Sequence, residues 1–214
     1  PYSKVVCNDR ANMLYVTTNL RVIAELNAWE VIDKYLCEPT ETHAKRICLK
    51  FITSIGVSRE FNRHRVASIA EQSTRYCNYT KDKFNNELTF IKPSWLDIPT
   101  GHYGYWDGDW CDVNEMKIQL PGEEHKDIDA FLWTLKDAER EYTLLINKGW
   151  QPQQAREILP LTTATEVVYT AFEDDWKHFF DLRYRGTTGL PHPNAQQVAS
   201  IAHDLILKEL GKDL

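Results

Sequence analysis

Residues 46–76 read RICLKFITSIGVSREFNRHRVASIAEQSTRY. The opening stretch, Arg46 to Ser54, is rich in β-branched and aromatic types with an imperfect alternation, which predicts a strand. Gly56 predicts a break after it. From Arg59 to Tyr76 the chain gathers Arg59, Arg63, Arg65 and Arg75 with His64, Glu60, Glu71, Ser68 and Ser73. Guanidinium groups hold phosphates and planar heterocycles through paired hydrogen bonds, and serine hydroxyls complete the coordination of phosphate oxygens. The same density suits a solvated face on which Glu60 and Glu71 pair with the arginines. Residue chemistry alone divides evenly between the two.

On the amino-terminal side, Lys4 to Cys7 and Met13 to Thr17 read as two short strands around a polar turn, a hairpin. Asn19 is placed to cap a helix whose stripe, Val22, Ile23, Leu26, Trp29, Ile32 and Leu36, is expected to face the core before Pro39 ends it. On the carboxy-terminal side, residues 88–92 (LTFIK) predict a strand stopped by Pro93, and residues 99–112, rich in Gly, Asp, Tyr and Trp, predict a surface loop. Ile128, Phe131, Leu132, Leu135, Ala138, Tyr142 and Leu145 recur at helical spacing, with Gly149 just beyond. A short helix from Pro152, a strand from Thr165 to Tyr169 and a helix from Asp174 to Arg183 follow. The last helix spans Asn194 to Leu210, with Val198, Ile201, Ala202 and Leu205 inward and Gly211 as its stop. No repeat or linker interrupts the series, so one mixed α/β domain over residues 1–214 is expected.

A formal net charge of −6 weighs against a protein that coats nucleic acid. Five cysteines without a C-x-x-C pair suggest neither a zinc site nor a disulfide framework, and fit a reducing cytoplasm. No apolar run is long enough to span a bilayer. A dinucleotide-binding G-x-G-x-x-G is absent, so a flavin would be held outside a Rossmann unit.

Arg63-His64-Arg65, seven residues, Ser73, one residue and Arg75 together reproduce the R-H-R-x7-S-x-R signature of the flavin-dependent thymidylate synthases. The match extends through Ser68, Glu71 and Tyr76, and the continuation from Tyr76 to Phe84 resembles a subgroup of bacteria and phages. A second block, Ala155 to Pro160, Thr165-Glu166 and His178 to Arg183, is similar to the family's carboxy-terminal half in order and spacing. The resemblance runs from about Lys45 to the end. It implies a mixed α/β fold, an antiparallel sheet flanked by helices, in a homotetramer with active sites between subunits. The implied reaction converts dUMP to dTMP, with methylenetetrahydrofolate as carbon donor and FAD reduced by NADPH as hydride source.

Residue by residue, the resemblance puts Arg63, His64, Arg65, Glu71 and His178 against FAD. It puts Glu60, Arg63, Glu71, Gln72, Ser73, Thr74, Arg75 and Arg156 around dUMP, with Arg156 contributed by another subunit. Arg183 falls at the uracil ring, where a fixed positive charge stabilises the base ionised at its ring nitrogen, and it is the catalytic residue. No metal is implied. The chain departs from the pattern at Ala70, where relatives carry Asn, and at Phe172, where relatives carry an asparagine that contacts the flavin. The family's His-Glu-rich segment ahead of the R-H-R motif has its nearest counterpart in Thr40-Glu41-Thr42-His43; the alternative is that it lies upstream of Pro1.

Two rival functions use the same arginines. A nucleotide hydrolase or phosphotransferase needs a carboxylate cluster for metal, for which Glu173-Asp174-Asp175 is the candidate, although a helix start explains that run as well. A noncatalytic nucleotide-binding module is the other.

Overall fold

The computed structural model describes residues 2–106, 109–112, 126–211 and 213–214. The chain divides into two compact units: Pro1–Ile52, Val57–Glu71 and Glu166–Leu214 form the first, and Thr53–Gly56 with Gln72–Thr165 the second.

The first unit opens with the expected hairpin, β1 (Lys4–Asn8) and β2 (Met13–Thr17), paired antiparallel from Lys4 opposite Thr17 to Asn8 opposite Met13. Its turn places Asn12 at φ 48°, a left-handed conformation that asparagine tolerates well. Asn19 caps α1 (Leu20–Glu25) by accepting the Val22 N–H at 3.1 Å. The long helix expected to follow is cut short. Asn27 takes φ 50°, its N–H bonds Ala24 O at 3.1 Å, and the Ala28 N–H bonds Ile23 O at 3.0 Å, a Schellman stop that asparagine can provide in place of glycine. A separate turn, α2 (Trp29–Ile32), comes next. Of the predicted stripe only Ile23 is buried, while Leu26, Trp29 and Leu36 are exposed.

The strand predicted over 46–54 is β3 (Arg46–Ser54). Gly56 does not break the chain after it, because α3 (Ile55–Phe61) begins directly and Gly56 lies in its first turn. Then come β4 (Ser68–Glu71), β7 (Ala164–Phe172), α6 (Glu173–Arg183) and α7 (Pro193–Leu210). The strand predicted over 165–169 is thus longer at both ends. β7 lies between β3 and β4, pairing antiparallel with β4 from Ser68 opposite Thr170 to Glu71 opposite Val167. Val167, Tyr169 and Ala171 alternate inward on β7 and pack with Phe51 of β3, Val57 and Phe61 of α3, and Trp176, Phe179 and Phe180 of α6. α7 keeps Val198 and Ala202 of the predicted face against the core, but Ala195, Ala199 and Ile206 join them there while Ile201 and Leu205 are exposed. Small side chains there leave room for the large rings of α6.

In the second unit α4 (Lys126–Asn147) follows its predicted stripe, with Ile128, Leu132 and Tyr142 buried. Gly149, at φ 93°, ends it through Gly149 N–H to Ile146 O and Trp150 N–H to Leu145 O. The strand expected over 88–92 reduces to one antiparallel bridge, Phe90 opposite Thr163; Pro93, with no N–H, cannot extend a ladder. Within the loop expected over 99–112 a hairpin forms, β5 (Tyr103–Trp106) against β6 (Asp109–Asp112), its tip residues 107–108 lying outside the described residues. The aromatic residues on either side of Asp107-Gly108 were the signal for it. Tyr105 and Trp110 of this hairpin close with Trp133 of α4 into a three-ring cluster, with centroids 4.6 to 5.3 Å apart. α5 (Pro152–Ala155) carries a capping box between Gln151 and Gln154. Among the described residues no helix is long and apolar enough to cross a membrane.

Candidate functional site

In the first unit a group of the predicted residues gathers where α3 ends. The turn at Asn62 and Arg63 leaves Arg63 and Arg65 exposed on either side of His64, which is 6% exposed. Arg183, in the last turn of α6, reaches this turn and is held at three points. Its Nη1 donates to Glu60 Oε2 at 2.6 Å, its Nη2 to the Glu60 carbonyl at 3.0 Å, and its Nε to His64 Nε2 at 3.1 Å. Because His64 Nε2 accepts, the neutral ring carries its proton on Nδ1. Burial pulls the His64 pKa down to about 4, with the Arg183 and His178 charges acting in the same direction. His64 is therefore a neutral acceptor near pH 7, packed against Phe179 at 5.1 Å and His178 at 5.9 Å between ring centroids.

Glu71, at the end of β4, has both carboxylate oxygens engaged by α3 and its turn: Ser58 Oγ donates to Oε1 at 2.6 Å and Asn62 Nδ2 to Oε2 at 3.0 Å. Glu60 and Glu71, the ion-pair partners that a solvated face requires, are thus engaged by Arg183, Ser58 and Asn62. Neither Ser58 nor Asn62 was singled out from sequence; they flank the motif, but only the end of α3 aims them at Glu71. Phe172, the departure noted above, is buried at the start of α6, with Lys4 Nζ 5.1 Å and the Arg46 guanidinium 5.5 Å from its ring centroid.

The second unit assembles the other predicted residues. Ser73 accepts the Arg75 N–H on Oγ at 3.3 Å, so it holds a turn, while its carbonyl takes the N–H groups of Tyr76 and Cys77 at 3.1 Å. Arg75 is exposed, oriented by Nε donating to Gln153 Oε1 at 2.9 Å and by its guanidinium lying 5.2 Å from the Tyr76 ring. Gln153, on α5, carries no sequence signal for this. Arg156, which opens a 3-10 turn after α5, donates from Nη1 to Thr74 Oγ1 at 3.3 Å within the same chain. Gln72 offers its carbonyl to Thr165 Oγ1 at 3.5 Å. Ser73, Thr74 and Arg75 on one short turn, with Arg156 reaching it from the 3-10 turn after α5, form a donor set suited to phosphate oxygens.

Glu173, Asp174 and Asp175 occupy the first turn of α6, where acidic groups complement the helix dipole, and Asp174 pairs with Lys4. Among the described residues no group of three or more His, Cys, Asp or Glu side chains is placed to hold a metal ion.

Helices thus flank an antiparallel sheet, and the R-H-R turn is joined to the arginine of α6. Residues 39–209 match the family model of the thymidylate synthase complementing proteins, and the chain belongs to this family of flavin-dependent thymidylate synthases. Similar curated proteins, each named flavin-dependent thymidylate synthase, come from Haloarcula marismortui (28% identical over 60% of this chain), Pyrococcus furiosus (31% over 56%) and Halobacterium salinarum (29% over 60%). The matched segments span 51%, 38% and 51% of those relatives, about half their length or less. Among solved structures, a UMP/dUMP methylase PolB from Streptomyces cacaoi bound with 5-Br dUMP superposes with a TM-score of 0.56 at 19% identity, over 76% of this chain and 67% of that one. That likeness is one of fold.

Proposed function

We propose that the chain methylates dUMP to dTMP as a flavin-dependent thymidylate synthase, with methylenetetrahydrofolate as carbon donor, FAD reduced by NADPH, and a cytoplasmic homotetramer whose sites lie between subunits. The observation that carries this reading is the three-point anchoring of Arg183 beside the R-H-R turn, in a chain of this family.

The donor set of that turn fits a flavin. Arg63 and Arg65 present two exposed guanidinium groups, planar donors that match carbonyl and ring-nitrogen acceptors, next to the imidazoles of His64 and His178. Arg63, His64, Arg65, Glu71 and His178 would hold FAD, which supplies hydride chemistry when bound. Ser73, Thr74, Arg75 and Arg156, with Gln72, would hold the nucleotide phosphate.

Arg183 does the electrostatic work on the base. Three of its five N–H donors are taken by Glu60 and His64, which fixes the plane of the guanidinium and leaves the rest of its donor edge for a ligand. A cation held in this way needs no reorganisation when the uracil ring ionises, and the ionised ring is more nucleophilic at carbon five. His64 adds no competing charge because it is neutral. Glu60 acts through Arg183 as well as by its place near the nucleotide.

The test is tritium release from dUMP labelled at carbon five, paired with the absorbance of bound flavin. The wild-type chain takes up FAD, turns yellow and releases tritium; Arg183→Ala keeps the yellow colour and loses about 100-fold or more of the release rate. A colourless protein that takes up no added FAD removes the reading. Unchanged release by Arg183→Ala removes the role of that residue.

A further inference from the structure

The end of α3 directs side chains toward two of the residues that the proposed site uses. The Asn62 N–H donates to Ser58 O at 2.9 Å, so the last helical turn runs on to Asn62 and sets Ser58 and Asn62, four residues apart, on one face. That face meets the end of β4. Ser58 Oγ donates to Glu71 Oε1 at 2.6 Å and Asn62 Nδ2 to Glu71 Oε2 at 3.0 Å, so each oxygen of one carboxylate has its own donor. Glu60, two residues after Ser58, leaves the helix in a different direction and takes Arg183.

The two ends of the Ser58–Glu71 bond differ in their freedom. Ser58 is 0% exposed, on a helix whose Val57 and Phe61 are in the core, whereas Glu71 is exposed. An exposed glutamate ordinarily samples several rotamers, but a hydroxyl anchored in the interior cannot follow it, so the bond holds the carboxylate to the hydroxyl. The Asn62 amide on the second oxygen then sets the plane of the group. We infer that Ser58 and Asn62 are positioning residues, which fix the direction of the Glu71 carboxylate before a ligand arrives. Ligand then meets a preorganised acceptor and does not have to order a mobile side chain on binding. This rests on the reading that Glu71 contacts flavin and nucleotide. Ser58 and Asn62 act only through Glu71, and that separates the inference from a bare structural tie between α3 and β4.

A double-mutant cycle on the full chain makes the distinction, with the dissociation constant for FAD read from the visible absorbance of bound flavin. Ser58→Ala and Asn62→Ala are each expected to weaken FAD binding about threefold to tenfold, the cost of ordering one side chain on binding. In a Glu71→Ala background the same two substitutions are expected to leave the affinity unchanged. Losses of equal size with and without the Glu71 carboxylate, or single variants that bind as tightly as the wild type, overturn the inference. Asn62 is exposed, so Asn62→Ala carries the test alone if Ser58→Ala does not fold. A Glu71→Ala chain with wild-type affinity overturns the inference and leaves the flavin reading standing, whereas a wild-type chain that takes up no FAD overturns both.

Discussion

The burial of His64, with the Arg183 charge beside it, makes one imidazole a pH-dependent element of stability. Its pKa is about 4 in the folded chain against an ordinary 6.5, so the unfolded chain binds the extra proton between those values. The contribution is fully present above pH 6.5 and is lost as the pH falls from 6.5 through 4. His64→Gln keeps an acceptor for Arg183 but has nothing to titrate. Its melting temperature is expected to fall less steeply than that of the wild type between pH 6.5 and 4, and parallel curves would count against the assignment. At this scale the sequence was informative where chemistry is carried by residue type, and silent where it is carried by direction. The arginines, His64 and Ser73 stand out in a one-dimensional reading. Ser58, Asn62 and Gln153 do not, because an ordinary serine or amide acquires its role only when α3 or α5 aims it at Glu71 or Arg75.

Elements were legible in proportion to how far local rules decide them. α4 was readable because its stripe persists over several turns and Gly149 marks its end. Gly149 also gives a clean measurement. A Cβ added there meets nothing within 4 Å, so the cost of Gly149→Ala is that of φ 93° alone. Chemical denaturation is expected to show a loss of about 1 kcal/mol, with Gly149→Asn losing less. A variant as stable as the wild type would mean that the Schellman stop is dispensable. The failures have specific causes. Asn27 ends α1 in a conformation that side-chain periodicity does not report, and Trp29 and Leu36 beyond it stay exposed. The entry of Ala195, Ala199 and Ile206 of α7 into the core in place of Ile201 and Leu205 goes with the large rings of Trp176 and Phe180 on a neighbouring helix, which no reading of α7 alone can include. Gly56, a break by residue type, stands in the first turn of a helix.

For the molecule as a whole, the proposed assembly makes a quantitative claim about mixtures. If Arg156 reaches a site whose Arg183 belongs to another subunit, Arg156→Ala and Arg183→Ala are each inactive, but chains unfolded and refolded together form intact sites. About a quarter of wild-type tritium release is expected from an equal mixture with random assembly. Activity no higher than that of the separate variants would place both arginines in one subunit. The three-ring cluster of Tyr105, Trp110 and Trp133 has a use outside catalysis. Indole rings 5.0 Å apart at an interplanar angle of 60° couple their electronic transitions, so the β5–β6 hairpin gains a near-ultraviolet circular dichroism signature only when it is seated on α4. This optical band lies away from the visible absorbance of a flavin. The second unit therefore carries its own intrinsic reporter, by which its folding can be followed separately from cofactor uptake.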